Sequence, residues 1–568
     1  MNNIFIQLAI ILSFSSILGM VVYKFKLPLL IAYLVTGLLL SIAATFDISK
    51  SLALSFLPDI GIAFVLFLVG MELDLRELKN FGRQILTAGI LQVIITATLG
   101  TYIAQSFGFN TREAIYLGLG LSFSSTMLVV KLLIDKKDLT SLYGKLSVGV
   151  LLLEDLLAVV ILLVIGSSMS ILNIGESNIM LLSILVFKVV VLFAMAILIS
   201  RYILAVVFKA ISDSGELLLL TALAWCFGFI TLSMLMGFSI LIGAFLAGVA
   251  LASSPYHFHI QGKIKPMRDF FTALFFVYLG TRVNFSLNNI SLLPLILIFT
   301  TYVILIKPVI FLLLFGLFGF RKHTMFKTAI NLSQVSEFSM IILLVGFKAN
   351  LVSQNALTVI ALSSVISFIA SSLMISKSHA IYKLVSSAVS FFERRKHLVF
   401  EKEADAELSD HVVVIGAHRV GGEIVRFLKK EKYPMVVLDF NPHQVETLLK
   451  EEIPVIYGDM SDPEVLDILN LDTAKMIIST APDLGDSKTL LEDLKLRKIG
   501  IPIIIRAETI REAQGLYKLG ADLVILPEVM AGDLLLDMLR DHLNEKSYFK
   551  DRPRIELEKL SRKTLSWG

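Results

Sequence analysis

The sequence predicts a polytopic α-helical membrane part followed by an α/β domain in water. Of the 568 residues, 56% are hydrophobic and only 17% charged, more apolar surface than a soluble chain of this length can hide. Up to about Ser376 that apolarity falls in runs of ~20 residues, the length that crosses a hydrocarbon core of ~30 Å. From Phe392 onward the sequence turns charged and mixed, and short apolar runs alternate with helical stretches.

Thirteen spans are expected, at 3–22, 27–46, 53–71, 84–106, 112–134, 143–168, 180–209, 215–233, 237–254, 267–283, 290–318, 325–347 and 354–375. The seventh and eleventh are long enough to be tilted or broken. The first begins without a preceding basic region or a following small-residue cleavage site, so it reads as a retained helix. Charge in the loops sets the orientation. One set of alternate loops carries seventeen Lys and Arg, including Lys24, Arg76, Lys136, Lys145, Lys263 and Arg321; the opposite set carries Lys50, Arg112, Arg282 and Lys348. The positive-inside bias then places the N-terminus outside and the C-terminal part in the cytoplasm. The single cysteine, Cys226, lies in an apolar run, so no disulfide framework exists and a reducing compartment suits the soluble part. A net charge of +4 is too small for nucleic-acid binding; the expected surroundings are membrane lipid.

Ionisable groups near mid-span cost roughly 2.5–3.5 kcal/mol on insertion scales and face protein or water rather than lipid. The sixth span carries Glu154 and Asp155 side by side in a run of leucines. The eleventh carries Lys307 followed by Pro308, a cation where proline frees backbone carbonyls. The twelfth carries a polar stripe from Asn331 through Gln334 and Ser336 to Glu337, and the fifth carries Ser122, Ser124, Ser125 and Thr126. Serines in a span usually serve helix packing, and a lone membrane acid is often half of a structural ion pair. Adjacent acids resist that account, because neighbours on a helix point about 100° apart and one cation cannot satisfy both. A carboxylate that takes either a proton or a hard cation can exchange one for the other, with hydroxyls and carbonyls as further oxygen ligands. Lys307 is the obvious counter-charge for one of the two acids.

At this point the membrane part resembles the monovalent cation:proton antiporter-2 family, in particular its bacterial potassium-efflux members, over about residues 5–375. The resemblance is carried by Leu27-Pro28 through Tyr33 and Gly37, and by Phe67-Leu-Val-Gly70-Met-Glu72. It continues in Leu121-Ser-Phe-Ser-Ser-Thr126, Glu154-Asp155, Phe275-Phe-Val-Tyr-Leu-Gly280 and Ser333-Gln334-Val-Ser-Glu337-Phe338. It implies an inverted-repeat fold with two crossed, discontinuous helices at the acid site, alternating access, and Asp155 as the carrier of ion and proton. Ser124, Ser125, Thr126, Gln334, Glu337, Glu154 and Lys307 complete the implied transport site. Glu154 stands where potassium-efflux members usually have glutamine. Beside Lys307 it resembles the acid–lysine pairing of electrogenic sodium/proton members, so potassium and sodium both stay open.

The α/β part opens with a strand run, His411-Val-Val-Val-Ile-Gly416, then Ala417-His418-Arg419-Val420-Gly421-Gly422 starting a helix, then Met435-Val-Val-Leu-Asp439. Strand, glycine turn, helix, strand and acid is the order of a dinucleotide fingerprint. The helix N-terminus suits phosphate and Asp439 suits a ribose 2′-hydroxyl. His418 replaces the central glycine of that fingerprint. With three later strand runs, this part resembles the potassium-transport nucleotide-binding domain (RCK, or TrkA-N, type) over about 410–530. That implies a Rossmann-like regulatory domain for NAD(H) or an adenine nucleotide, its site lined by Gly416, His418, Arg419, Val420, Gly421, Asp439, Asp459, Thr480 and Arg506. It also implies a homodimer through both parts, and the family admits an ancillary regulatory subunit.

The expected domains are 1–375 for exchange, 376–409 as an amphipathic and acidic linker, 410–530 for regulation and 531–568 as a charged tail. An enzyme reading fails because no substrate domain follows the nucleotide fold and no positioned acid or base is recognisable. A channel reading lacks a T-V-G-Y-G type of filter.

Overall fold

The computed structural model describes residues 4–25, 27–42, 57–72, 83–136, 138–139, 141–171, 188, 191–211, 214–252, 254, 256–283, 292–393, 409–460, 463–481, 484–542 and 557. The start of the seventh expected span, the acidic linker and most of the tail lie outside these, as do Lys50 and Arg76. Two compact units result: Met1–Leu132, Leu146–Phe318 and Met325–Phe392 form the first, and Leu133–Lys145, Gly319–Thr324 and Glu393–Gly568 the second.

Among its described residues the first unit is built from helices and holds no strand. We number α1 (Ile4–Lys24), α2 (Leu29–Ile42), α3 (Leu57–Glu72), α4 (Arg83–Ser106), α5 (Thr111–Ser122), α6 (Thr126–Lys136) and α7 (Leu142–Ile171). There follow α8 (Val191–Ala210), α9 (Gly215–Leu235), α10 (Ile240–Ala252), α11 (His257–Arg282), α12 (Leu293–Leu317), α13 (Lys322–Asn331), α14 (Glu337–Lys348), α15 (Gln354–Ser376) and α16 (Ser378–Val389). Among the described residues, seven helical runs are long and apolar enough to cross a membrane, and α2, Asp59–Met71 and α10 are shorter apolar helices.

Three expected spans differ in form. The fifth is interrupted between α5 and α6, and the twelfth between α13 and α14. The tenth begins ten residues earlier than its apolar run, at His257, because hydropathy marks where a helix enters lipid, not where its hydrogen bonding begins. The two long spans carry π-helical turns, Ser200–Leu204 in α8 and Tyr302–Ile306 in α12. The second ends at Lys307-Pro308, where the proline has no N–H to return to the ladder.

The helices group as two bundles. In one, α2 and α3 pack on α11, and α3 and α9 on α10; in the other, α4 packs on α5 and α12, and α14 on α5 and α15. Lipid tails offer no hydrophobic gain for helix association, so close backbone approach over small residues supplies it. A Cβ on Gly37 would lie 2.0 Å from the Val277 carbonyl oxygen, and one on Gly248 2.0 Å from that of Phe67. Each crossing places a glycine opposite another, Gly37 against Gly280 and Gly248 against Gly70. Gly248→Val therefore forces α3 and α10 apart. We expect it to cost about 3 kcal/mol or more, the upper end of overpacking, read as early thermal unfolding of the purified protein in detergent.

The second unit contains a six-stranded sheet: β1 (Val412–Ile415), β2 (Met435–Asp439), β3 (Val455–Tyr457), β4 (Met476–Ser479), β5 (Ile503–Arg506) and β6 (Leu523–Ile525). All neighbours are parallel, in the order β3-β2-β1-β4-β5-β6, the doubly wound arrangement whose switch point lies between β1 and β4. Helices α17 (Arg419–Lys430), α18 (Pro442–Lys450), α19 (Pro463–Ile468), α20 (Leu484–Arg497), α21 (Ile510–Leu519) and α22 (Pro527–His542) connect and follow the strands. Strand side chains alternate between two cores: Val413, Ile415, Val436 and Leu438 on one face, Val412, Val414, Met435 and Val437 on the other. Burial on both faces explains the unbroken apolar runs of the sequence.

Candidate functional site

In the first unit the two interruptions meet. Phe123 and Ser336 are extended, so the helices around them stop, and buried backbone groups need other partners. Side chains supply them. Ser124 Oγ donates to the Leu332 carbonyl at 3.0 Å, and Gln334 Nε2 to the Ser125 carbonyl at 3.4 Å, tying one break to the other. Gln92 Nε2 donates to the Ser122 carbonyl at 3.0 Å, and the Val335 N–H to Ser367 Oγ at 3.3 Å. Ser371 Oγ holds Gln334 Oε1 at 2.8 Å. Ser336 then restarts α14 by accepting from the Phe338 N–H.

The acids of α7 face this crossing differently. Glu154 is fully buried; its Oε2 accepts from the Ser124 N–H at 2.5 Å, and its Oε1 lies 3.4 Å from Ser124 Oγ. Glu154 thus caps the freed end of the first break. Asp155 is half-buried and accepts from Thr126 Oγ1 at 2.8 Å. Lys307 is fully buried; its Nζ donates to the Gln334 carbonyl at 3.2 Å, and its charge acts on Glu154. Glu337 is buried in the first turn of α14, and its Oε2 has no hydrogen-bond partner among the described residues. All eight residues expected for transport converge here: two carboxylates on one helix, one cation, one further acid and a ring of hydroxyls.

Gln92, Ser367 and Ser371 were not anticipated. Ser364, Ser367 and Ser371 lie three and four residues apart in α15, one face of a helix, and that spacing was readable. Gln92 is an amide in the middle of an apolar span whose other glutamines, Gln84 and Gln105, stand at its ends, a signal of the same kind.

In the second unit the expected nucleotide residues gather at the carboxyl ends of the strands. Gly416 follows β1 with φ +82°. A Cβ on Gly421 would lie 1.7 Å from the Gly416 carbonyl oxygen, so the turn and the helix after it need both glycines. His418 has φ −76°, so its position does not call for the positive φ that favours glycine; His418 and Val420 are exposed. Arg419 opens α17. Both oxygens of Asp439 accept backbone N–H groups, from Ala417 and Asn441, at 2.8 Å each. Burial raises the Asp439 carboxyl above the usual carboxylate range, and those two N–H groups pull it back. Thr480 Oγ1 donates to the Gly416 carbonyl at 2.8 Å. Arg506 ends β5, and its buried Nε has no partner among the described residues. A tight glycine turn at a helix N-terminus, an acid after the second strand and an orphaned guanidinium nitrogen fit a nucleotide with its phosphates at the turn.

An acid pair, one member fully buried and the other half-buried, where two helix interruptions meet is the constellation of a membrane cation/proton exchanger. Residues 9–377 match the family profile described as sodium/hydrogen exchanger, transmembrane, and the chain belongs to that family. Residues 412–527 match the TrkA-N domain. A protein of Alkalimonas amylolytica provisionally named K(+) efflux antiporter KefB is 26% identical over 544 residues, covering 94% of this chain and 81% of its own length. The glutathione-regulated potassium-efflux system protein KefC of Klebsiella pneumoniae subsp. pneumoniae is 25% identical, covering 90% and 80%. The sodium proton antiporter MjNhaP1 of Methanocaldococcus jannaschii overlays with a TM-score of 0.49 at 15% identity, covering 66% of this chain and 96% of that one.

Proposed function

We propose that the protein exchanges potassium for protons by alternating access, with Asp155 as the group that carries each in turn. The division of the acid pair supports this most directly. Glu154 is fully buried and bound into the helix break by Ser124, whereas Asp155 is half-buried and accepts from the Thr126 hydroxyl. A dehydrated monovalent cation needs oxygen ligands, which the Asp155 carboxylate and Thr126 hydroxyl provide. A proton on the same carboxylate removes the charge that holds the cation, so the two compete for one carrier. Glu154 and Lys307 set the charge around it.

Potassium is taken from the two potassium-efflux relatives. Sodium is the second reading, favoured by the buried Lys307 acting on Glu154. The positive-inside bias of the loops supports an N-terminus outside and an α/β part in the cytoplasm, where it binds NAD(H) or an adenine nucleotide as a regulator rather than as a redox cosubstrate. A homodimer fits α22, which buries no side chain and exposes Val529, Met530, Leu534, Leu535 and Leu536.

Proteoliposomes carrying an internal pH dye decide the ion. Potassium should drive proton movement more strongly than sodium at equal concentration, with the membrane potential clamped or free. Activity with sodium alone, accelerated when the potential is free to drive it, would instead establish electrogenic sodium exchange.

A further inference from the structure

One segment of the second unit comes from outside the α/β fold. Leu133–Lys145 belongs to that unit, and there the first turn of α7 meets the carboxyl ends of β2 and β3. The Leu142 N–H donates to Asp459 Oδ2 at 3.0 Å. Lys145 Nζ lies 4.2 Å from the ring centroid of Phe440, the residue directly after Asp439, and both Asp439 and Asp459 attract its ammonium. The turn is ordered by its own cap: Ser141 Oγ accepts from the Gly144 N–H at 3.1 Å and donates to the Asp138 carbonyl at 2.7 Å. A carboxylate at a helix N-terminus is favourable on charge and on hydrogen bonding together.

That carboxylate has a second potential user. In a doubly wound sheet the phosphates lie at the turn after the first strand and the ribose on the acid of the second. The base then extends over the third strand. Here the acceptor at the end of the third strand is Asp459, only 4% exposed, and an exocyclic amine of adenine is a donor of the kind it would take. The Leu142 N–H already occupies Asp459, while the Lys145 ammonium covers the Phe440 ring beside it.

We propose that residues 141–145 are an internal occupant of the base end of the nucleotide site, so that an adenine nucleotide and this segment exclude one another. The consequence for regulation is direct, because the displaced turn begins the same helix, α7, that carries Glu154 and Asp155. The proposal rests on the nucleotide reading above.

The test uses the full-length protein in detergent, with ADP and NADH as probes in calorimetry. Lys145→Ala removes the ammonium. Leu142→Pro removes the competing N–H at the first helical position, where proline is tolerated. Leu142→Pro should tighten ADP binding about tenfold, the scale of one lost competing hydrogen bond, and Lys145→Ala by up to about the same factor, the scale of a lost cation–π contact. Unchanged or weaker ADP binding in both variants overturns the proposal while leaving the nucleotide reading intact. No binding of either probe to any form overturns that reading and the proposal with it. A second measurement stands apart from affinity. In a Cys226→Ala background, Lys145→Cys and Phe440→Cys should cross-link with a short bismaleimide, and saturating ADP should slow the reaction. Cross-linking at the same rate with ADP bound, or no cross-link in the absence of ADP, rejects the exclusion.

Discussion

Asp155→Asn protein, purified and reconstituted, should show no cation-dependent pH change in liposomes at any pH. The substitution is conservative in every respect except the one transport needs. The amide oxygen can still accept from Thr126 Oγ1, which lies 2.8 Å from the carboxylate, so the contact between α6 and α7 survives. The side chain keeps its length, and a half-buried position tolerates a neutral amide. What disappears is the charge that attracts a dehydrated cation and the site that accepts a proton. On the proposed mechanism one group serves both in turn, so the loss should be complete rather than partial and should not be recovered by raising cation concentration or shifting pH. Normal elution and thermal stability would show that the fold is intact. Cation-driven proton movement persisting in that sample would move the carrier to another residue, and Glu337, whose buried Oε2 has no hydrogen-bond partner among the described residues, would be the first to examine.

The acid pair, the Lys307-Pro308 step and the serine run were all visible in the sequence, because charge and proline in an apolar span are rare enough to stand out. Their partners were not. Nothing in the spacing of Ser124 and Glu154, thirty positions apart, says that the backbone N–H of one closes on the carboxylate of the other. That contact depends on where the fifth span breaks, and apolar composition is nearly blind to a break two or three residues long. Lys307 shows the same limit. It was legible as a counter-charge for an acid, but its hydrogen bond goes to the Gln334 carbonyl, an acceptor that exists only because the twelfth span is interrupted. The α/β part was more transparent. Its strands are buried on both faces, so composition alone marks them, and the glycine turn and terminal acid fall at fixed offsets. The seat of Leu142 on Asp459 was invisible, since it joins positions far apart in the chain through a main-chain donor.

Lys307→Met should destabilise the purified protein by about 3–5 kcal/mol, the range for removing one partner of a buried charge pair. Methionine fills nearly the same space, so packing contributes little to the loss. Two electrostatic changes remain. Glu154, fully buried, loses the charge of Lys307 that acts on it, and the Gln334 carbonyl loses its donor. The first is the larger, because an uncompensated charge in a dry interior costs more than an unmade neutral hydrogen bond. A double variant separates them. Glu154→Gln removes the charge but keeps an oxygen for the Ser124 N–H, so Glu154→Gln/Lys307→Met should regain most of the lost stability, leaving only the cost of the orphaned carbonyl. Thermal unfolding of the four proteins in one detergent gives the cycle. A deficit in the double variant as large as in Lys307→Met would assign Lys307 to the Gln334 carbonyl alone, as a brace for the second helix break. Recovery assigns it to Glu154. Transport in the double variant should then persist through Asp155 with an altered pH range, since the carrier keeps its carboxylate while both neighbouring charges are gone.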